Sequence, residues 1–250
     1  MGAQYTVEIF DTLPSTNEYV RQLAEAGAPS GTAVLARHQT EGKGRLGRKF
    51  YSPTGTGLYM SLLLRTDLLP EDALLLTPMA AVAAAEGIEA VTGKHTEIKW
   101  VNDLIYRGKK VCGILAQSKL SADGKKLAYA VIGIGINLTV PQGGFPAELQ
   151  EIAGALYDTD ESPDAQLFER LAEAVLSRMM AESGNLTART YLPSYRERLC
   201  VLGKPIIVVE DDKLYDAAAI ALDDDMRLLV EYADGSRAWR STGEIRIRLS

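Results

Sequence analysis

Cysteine and histidine are nearly missing from this chain, with two of each in 250 residues. Cys112 and Cys200 stand in separate apolar contexts without paired metal-ligand spacing, and His38 and His95 have no carboxylate or cysteine cluster beside them. A zinc site is therefore not expected, and the sparse thiols suggest a reducing, cytoplasmic setting. Basic residues are also in deficit: 27 Lys and Arg against 33 Asp and Glu leave a formal charge of −6, so no global field attracts nucleic acid. The start, Met1-Gly2-Ala3-Gln4-Tyr5, lacks the basic and long apolar regions of a signal peptide, and no run reads as long enough to span a membrane. Neither nucleic acid nor membrane is expected as a partner. Apolar residues are not in short supply, and the length fits one large domain or a medium domain with a small one.

On this acidic background one basic stretch stands out, Gln39 to Lys49. It carries Gly42, Gly44 and Gly47 interleaved with Lys43, Arg45, Arg48 and Lys49, just after the apolar run Thr32–Ala36. Glycines let a backbone approach a ligand, successive amides form a concavity for negative oxygens, and the cations add charge, so phosphate or carboxylate is the expected guest. The spacing also satisfies G-x-G-x-x-G. A dinucleotide site needs a helix opening at the third glycine, and the segment Arg48 to Gly57 leaves no room for one. A solvated basic hairpin is the plain alternative.

Periodicity outlines the rest. Thr6–Phe10 alternates as a strand; Ser15 and Glu18 have capping-box spacing ahead of the stripe Tyr19, Val20, Leu23 and Ala24. Gly57–Arg65 reads as a strand and Leu69–Val91 as an alanine-rich helix stopped at Gly93. Thr96–Trp100, Leu104–Tyr106, Lys110–Gln117 and Lys126–Leu138 read as strands, the last pair joined by the turn Ala122–Lys125. Pro163–Ala181 is an amphipathic helix, and Tyr191–Leu199 continues helically. From about Gly203 five short β runs follow, ending with Glu244–Leu249, separated by turn-forming acidic residues and glycine. The expected fold is α+β, a mixed sheet flanked by helices over residues 1–200, then a small β barrel over 201–250.

Four polar islands end apolar strands: Ser15-Thr16-Asn17, the glycine loop, Lys99-Trp100-Val101-Asn102-Asp103 with Lys110, and Gly133-Ile134-Gly135-Ile136-Asn137. Each alone has a structural explanation as a cap, a turn or a close strand contact. Together and in this order, with Lys109 to Leu115 and the closing Gly243-Glu244-Ile245, they resemble the biotin protein ligase family over essentially the whole chain. The resemblance implies a class II synthetase-like catalytic domain followed by an SH3-like barrel. It also implies a two-step reaction with ATP, biotin and Mg²⁺: biotin is activated as biotinyl-5′-AMP with loss of pyrophosphate, then passed to a lysine of a biotin carboxyl carrier domain of acetyl-CoA carboxylase or another biotin-dependent carboxylase. Members often form homodimers, which makes a homodimer one expectation here. Some carry an N-terminal helix-turn-helix, for which the few residues before Thr6 leave no space, so DNA binding is not expected.

By the same resemblance, Ser15, Thr16, Asn17 and Gln39 are expected around the ureido head of biotin. Backbone around Gly42, Lys43, Gly44 and Arg45 would take the carboxylate end, Lys110 would bridge carboxylate and phosphate, and Gly113, Leu115, Gly133 and Gly135 would form the floor. Arg45, Arg48, Trp100, Asn102, Lys110 and Asn137 are expected on the ATP side, Trp100 by stacking. Lys110, Arg45, Arg48 and Asp103 are the implied catalytic set, with Asp103 either holding Mg²⁺ or helping to deprotonate the acceptor lysine. Two departures matter. Lys43 stands where the family usually has Arg, harmless if the position acts through its main chain. Val101 replaces a common proline and is expected only to loosen the turn. A lipoate or octanoate ligase and a non-catalytic biotin sensor are the competing readings.

Overall fold

A computed structural model describes residues 5–210, 213–241 and 243–247. Twelve strands form two sheets. The first contains β1 (Thr6–Phe10), β2 (Thr32–Ala36), β3 (Gly57–Leu64), β4 (Glu97–Lys99), β5 (Asp103–Tyr106), β6 (Lys109–Leu120) and β7 (Leu127–Asn137), in spatial order β1-β2-β3-β7-β6-β5-β4. Only β1 and β2 run parallel, so the sheet is mixed, as expected from the alternation of strand pairs and helices.

Helix α1 (Thr16–Glu25) packs on one face through Val20 and Ala24, against Val34, Ala36, Leu63 and Val131. Ser15 caps it, its hydroxyl oxygen accepting from the Glu18 amide at 3.5 Å. The reciprocal half of the expected capping box does not form. Glu18 turns outward to Arg21 and Lys43, which hold its carboxyl far down, at about 2.

The other face is covered by α2 (Leu76–Thr92), entered through a 3-10 turn at Pro70–Leu75, and by α3 (Leu167–Ser183) packed across it. The start of α3 falls four residues after the expected Pro163, because Asp164 first closes a local turn onto Gln166 and Leu167. The helical stretch Pro70–Thr92, 23 residues long, does have the length and apolar composition of a membrane span. That corrects the reading of the sequence, and the reason is its place: most of it is buried, with Met79, Ala80, Ala84 and Ile88 inaccessible between sheet and α3.

A short α4 (Leu192–Arg198) leads to the second sheet, β8 (Pro205–Glu210), β9 (Lys213–Leu222), β10 (Leu228–Tyr232), β11 (Arg237–Arg240) and β12 (Glu244–Ile247). It is antiparallel in order β11-β10-β9-β8-β12. Asp211 and Asp212 of an expected turn, and Arg248 and Leu249 of the last expected strand, lie outside the described residues.

No solvent gap separates the sheets. One apolar cluster runs from Leu104, Ile98 and Trp100 into Val201, Ile206, Val208, Ala219 and Leu228. The Cys200 amide donates to Ile98 O (2.9 Å), and the Trp100 indole N–H donates to Met226 O (3.0 Å). Trp100→Phe keeps an aromatic ring but removes the N–H that satisfies that buried carbonyl, which is expected to cost about 1–3 kcal/mol, with the lost indole volume adding to it. Denaturant titration of the two proteins measures it; equal midpoints would show that the bond does not stabilise the seam.

Candidate active site

Alternation in the strands decides which side chains share the α1 face. The register pairs Tyr59 with Gly135 and Gly135 with Gly113, then Ser61 with Gly133 and Gly133 with Leu115. Two rows result, each with glycine in its middle strand. Ring and amide groups from elsewhere lie on those glycines: a β-carbon on Gly135 would sit 2.5 Å from the Phe50 ring, and one on Gly133 would sit 1.9 Å from Asn17 Oδ1. The expected glycine floor is therefore present, and the protein's own Phe50 lies on Gly113 and Gly135. Asn17, not a ring, covers Gly133.

Above the floor a cavity of about 50 Å³ is lined by Ser15, Thr16, Asn17, Gln39, Lys43, Gly44, Arg45, Asn102, Lys110, Gly113, Leu115, Gly133 and Gly135, together with Phe50, Met60, Ile114 and Ile134. Its two ends differ in chemistry. At the α1 end the polar groups are paired, with Ser15, Thr16 and Asn17 buried and Gln39 half-buried. Gln39 Oε1 accepts from the Thr16 amide (2.8 Å) and lies 3.1 Å from Thr16 Oγ1, while Gln39 Nε2 donates to Ser52 Oγ (3.1 Å). Asn17 Nδ2 donates to Leu115 O (3.2 Å) and Gln117 Oε1 (3.0 Å).

The other end is cationic. The glycine loop forms a small hairpin: Phe50 N donates to Gly42 O (2.8 Å), Gly44 N to Arg48 O (2.7 Å), and Gly47 supplies a positive φ of 73°. Arg45 is held by Asn102 Oδ1 (2.8 Å) and Gly243 O (3.2 Å), and burial lowers its pKa against the pull of Asp103 and Glu244. Lys110 Nζ lies 2.6 Å from Asp103 Oδ1, and Lys99 Nζ lies 3.9 Å from Oδ2. The Lys110 contact is a charge pair without the alignment of a directed hydrogen bond, since Oδ1 has no such donor. Burial lowers the Lys99 pKa, with Asp103 acting in the opposite direction. Asp103 is thus a carboxylate flanked by two ammonium groups, and no cluster of three metal-binding side chains exists among the described residues. Asp103 could offer Mg²⁺ one carboxylate, so nucleotide phosphates and water would have to supply the other ligands.

Lys43 spends its ammonium on Glu18 (3.1 Å), leaving its main chain at the cavity. The Trp100–Asn102 turn is pinned: Tyr195 donates to Val101 O (3.3 Å), and Asn102 and Ile114 exchange bonds.

Three expected nucleotide contacts, Trp100, Asn137 and Arg48, are not brought to the cavity. Trp100 is 3% exposed with its N–H committed to Met226, so it offers no face for stacking. Asn137 donates to Gly154 O (2.8 Å) and fixes the connection after β7, whose Ile152 and Gly154 bond the Lys110 backbone. Arg48 pairs with Glu244 at the surface. Sequence reasoning missed Phe50, Ser52 and Ser61. Ser61 had a readable signal: it is the one hydroxyl-bearing residue of low bulk inside the wholly buried strand Gly57–Leu64.

The Arg48–Glu244 pair ties the loop to the second sheet. Burial alone would raise the Glu244 pKa, but Arg48 and Arg246 outweigh it and hold the carboxyl below its ordinary 4.5. A depressed folded value means the contribution is complete above the ordinary pKa and is lost as pH falls through the folded one. Glu244→Gln is expected to speed tryptic cleavage within the loop about threefold at pH 7, a typical magnitude for a rim ion pair. In acid, where pepsin replaces trypsin, the two proteins should be cut alike; identical tryptic cleavage of both at pH 7 would remove the tether.

Comparison with known proteins agrees with this geometry. Relatives include the bifunctional ligase/repressor BirA of Bacillus spizizenii, 43% identical over 146 residues, which cover 58% of this chain and 44% of that protein. The chain thus spans less than half the length of that relative. The biotin--[acetyl-CoA-carboxylase] ligase of Paracoccus denitrificans is 31% identical over 203 residues, covering 77% of this chain and 80% of its own. A solved structure of biotin protein ligase from Aquifex aeolicus in complex with biotin and ATP superposes with a TM-score of 0.74 at 27% identity, covering 98% of this chain and 99% of that one. With a family profile matching residues 9–137, just over half of the 250, the chain belongs to the biotin/lipoate A/B protein ligase family.

Proposed function

We propose that this protein activates biotin with ATP, forming biotinyl-5′-AMP and pyrophosphate, and transfers the biotinyl group to a lysine of a biotin carboxyl carrier domain. One observation carries the reading: a single cavity joins a buried neutral polar end, Thr16 and Gln39, to a cationic end, Arg45 and Lys110. Biotin has the matching polarity, a ureido ring at one end and a carboxylate at the other. Lipoate, with an apolar dithiolane head, would offer no hydrogen to the lone pairs that Thr16 Oγ1 and Gln39 Oε1 retain beyond their internal bonds, which is costly.

In the first step the biotin carboxylate attacks the α-phosphorus of ATP and pyrophosphate departs. Two anions must be brought into contact, so positioned positive charge is the principal requirement. In this reading Lys110, paired with Asp103, would bridge carboxylate and phosphate, while Arg45, braced by Asn102 and Gly243, faces the same end. In the second step the neutral amine of the acceptor lysine attacks the acyl carbon and AMP leaves. Asp103, paired with the cavity residue Lys110, is the candidate to take the proton.

Lys110→Ala is expected to lower biotin-dependent pyrophosphate release by about 10²–10³-fold, the usual size of losing one transition-state donor. Its melting temperature should stay near wild type, because Asp103 retains Lys99. Undiminished release would remove Lys110 from the chemistry. If wild type, given ATP, Mg²⁺ and labelled biotin, yields no adenylate while labelled lipoate does, the substrate assignment fails.

Lys43→Ala and Arg45→Ala separate main-chain from side-chain roles in the loop. The first is expected to stay within about threefold of wild type in adenylate dissociation, since only an exposed ion pair is lost. The second is expected to release adenylate at least about tenfold faster, because a charge-assisted contact disappears. A filter assay on preformed adenylate reads both; the reverse order would place the Lys43 side chain on the ligand.

A further inference from the structure

We infer that Lys99 is the reserve counter-ion of Asp103: it takes over the carboxylate when Lys110 turns to the substrates, so that Lys110 leaves no bare negative charge beside two incoming anions. The inference rests on the function proposed above and names a positioning residue for its first step.

Lys99 is poorly provided for where it stands. It is one of three residues in β4 and lies directly across from Asp103 in the register. Its side chain is only 20% exposed, it does not line the cavity, and its ammonium makes no hydrogen bond among the described residues. A largely desolvated ammonium without such bonds is costly. A purely structural brace would close on its partner, yet Nζ stops 3.9 Å from Asp103 Oδ2, about 1 Å beyond charge-assisted bonding. The other acid that acts on Lys99, Glu244, is held by Arg48 and Arg246. Asp103 is therefore the partner within reach, and its Oδ1 is already engaged by Lys110 at 2.6 Å. Repulsion between the two ammonium groups keeps the second lysine back.

Charge balance gives this spacing a use. In the empty cavity Lys110 and Asp103 cancel one another. Once carboxylate and phosphate arrive, Lys110 is shared with them, and Asp103 becomes a further negative charge at the same end. It would then repel the substrates or draw Lys110 back. Departure of Lys110 also removes the repulsion that holds Lys99 away, so Lys99 closes the gap to Oδ2 and neutralises the carboxylate in place. The two lysines face different oxygens of one carboxylate, so the exchange requires side-chain movement alone. Asp103 has a cation in either arrangement, and Lys110 is free to pass between them.

The test is a double-mutant cycle on the first step, read as single-turnover formation of adenylate from labelled biotin with ATP and Mg²⁺. Lys99→Met is expected to slow it by about tenfold or more, the effect of one uncompensated charge at close range. Lys99→Arg, which keeps the cation, should stay within about threefold of wild type. Asp103→Asn alone should slow the step about threefold, because Lys110 loses its partner; added to Lys99→Met it should speed the step by at least about threefold, because the uncompensated charge is gone. A lysine with a merely structural role would not produce that reversal of sign, since two independent losses multiply. Lys99→Gln repeats the cycle if the methionine protein folds poorly. A double variant no faster than the Lys99 variant alone, with wild type forming adenylate, overturns this inference and leaves the proposed function standing; it is also the result expected if Asp103 is needed to hold Mg²⁺. Wild type forming no adenylate overturns the proposed function and this inference with it.

Discussion

Asn17 Oδ1 occupies the space that a β-carbon on Gly133 would need, 1.9 Å away, so α1 docks at this depth only because the strand beneath has no side chain there. From that contact the cap end of the helix is set. Ser15 and Thr16 come to the cavity, Thr16 meets Gln39, and Gln39 in turn holds Ser52 at the end of the glycine loop. An added methyl could not be absorbed by a small shift, since the amide is locked on both sides by Leu115, Gln117 and Ser61. Close packing and hydrogen bonding are here one constraint: buried amides tolerate displacement poorly because every lost bond leaves a dry polar atom.

The cationic end is organised differently. Its groups are charged, partly exposed and braced by partners from distant parts of the chain: Asn102 and Gly243 on Arg45, Asp103 on Lys110, Glu244 on Arg48. Such braces position charge in advance, so that less reorganisation is needed when anions meet. They are also competitors, since any anion that reached Arg48 would have to displace Glu244. The connection after β7 contributes by bonding the Lys110 backbone on both sides, through Ile152 O and Gly154 N.

Much of this was legible in the sequence because strand alternation and ordered polar islands are local patterns. Ser15, Thr16, Gln39, Arg45, Lys110, Gly113 and Gly135 all meet at one cavity although they are spread over 121 positions from Ser15 to Gly135. What was not legible depends on which way a side chain turns once neighbours compete for it. Trp100 sits in a polar motif and so looked outward, yet the second sheet offers a carbonyl that takes its N–H inward. Glu18 had capping spacing, but two cations drew it off. Phe50 lies among loop residues, and only the fold shows its ring over two glycines. Ser61 was visible as a small polar residue in an apolar strand, but its partners lie 44 and 45 positions away.

The seam at Trp100 carries a consequence for descent. Because β4, the Trp100 turn and the loop arginines each have a partner between Cys200 and Glu244, the final fifty residues are not a detachable module. A recombination joining the first two hundred residues to the tail of a distant relative would have to keep both the backbone path that presents the Met226 and Gly243 carbonyls and a carboxylate for Arg48. Lineages would then inherit the two sheets as a linked pair, with changes at the seam arising in compensating sets.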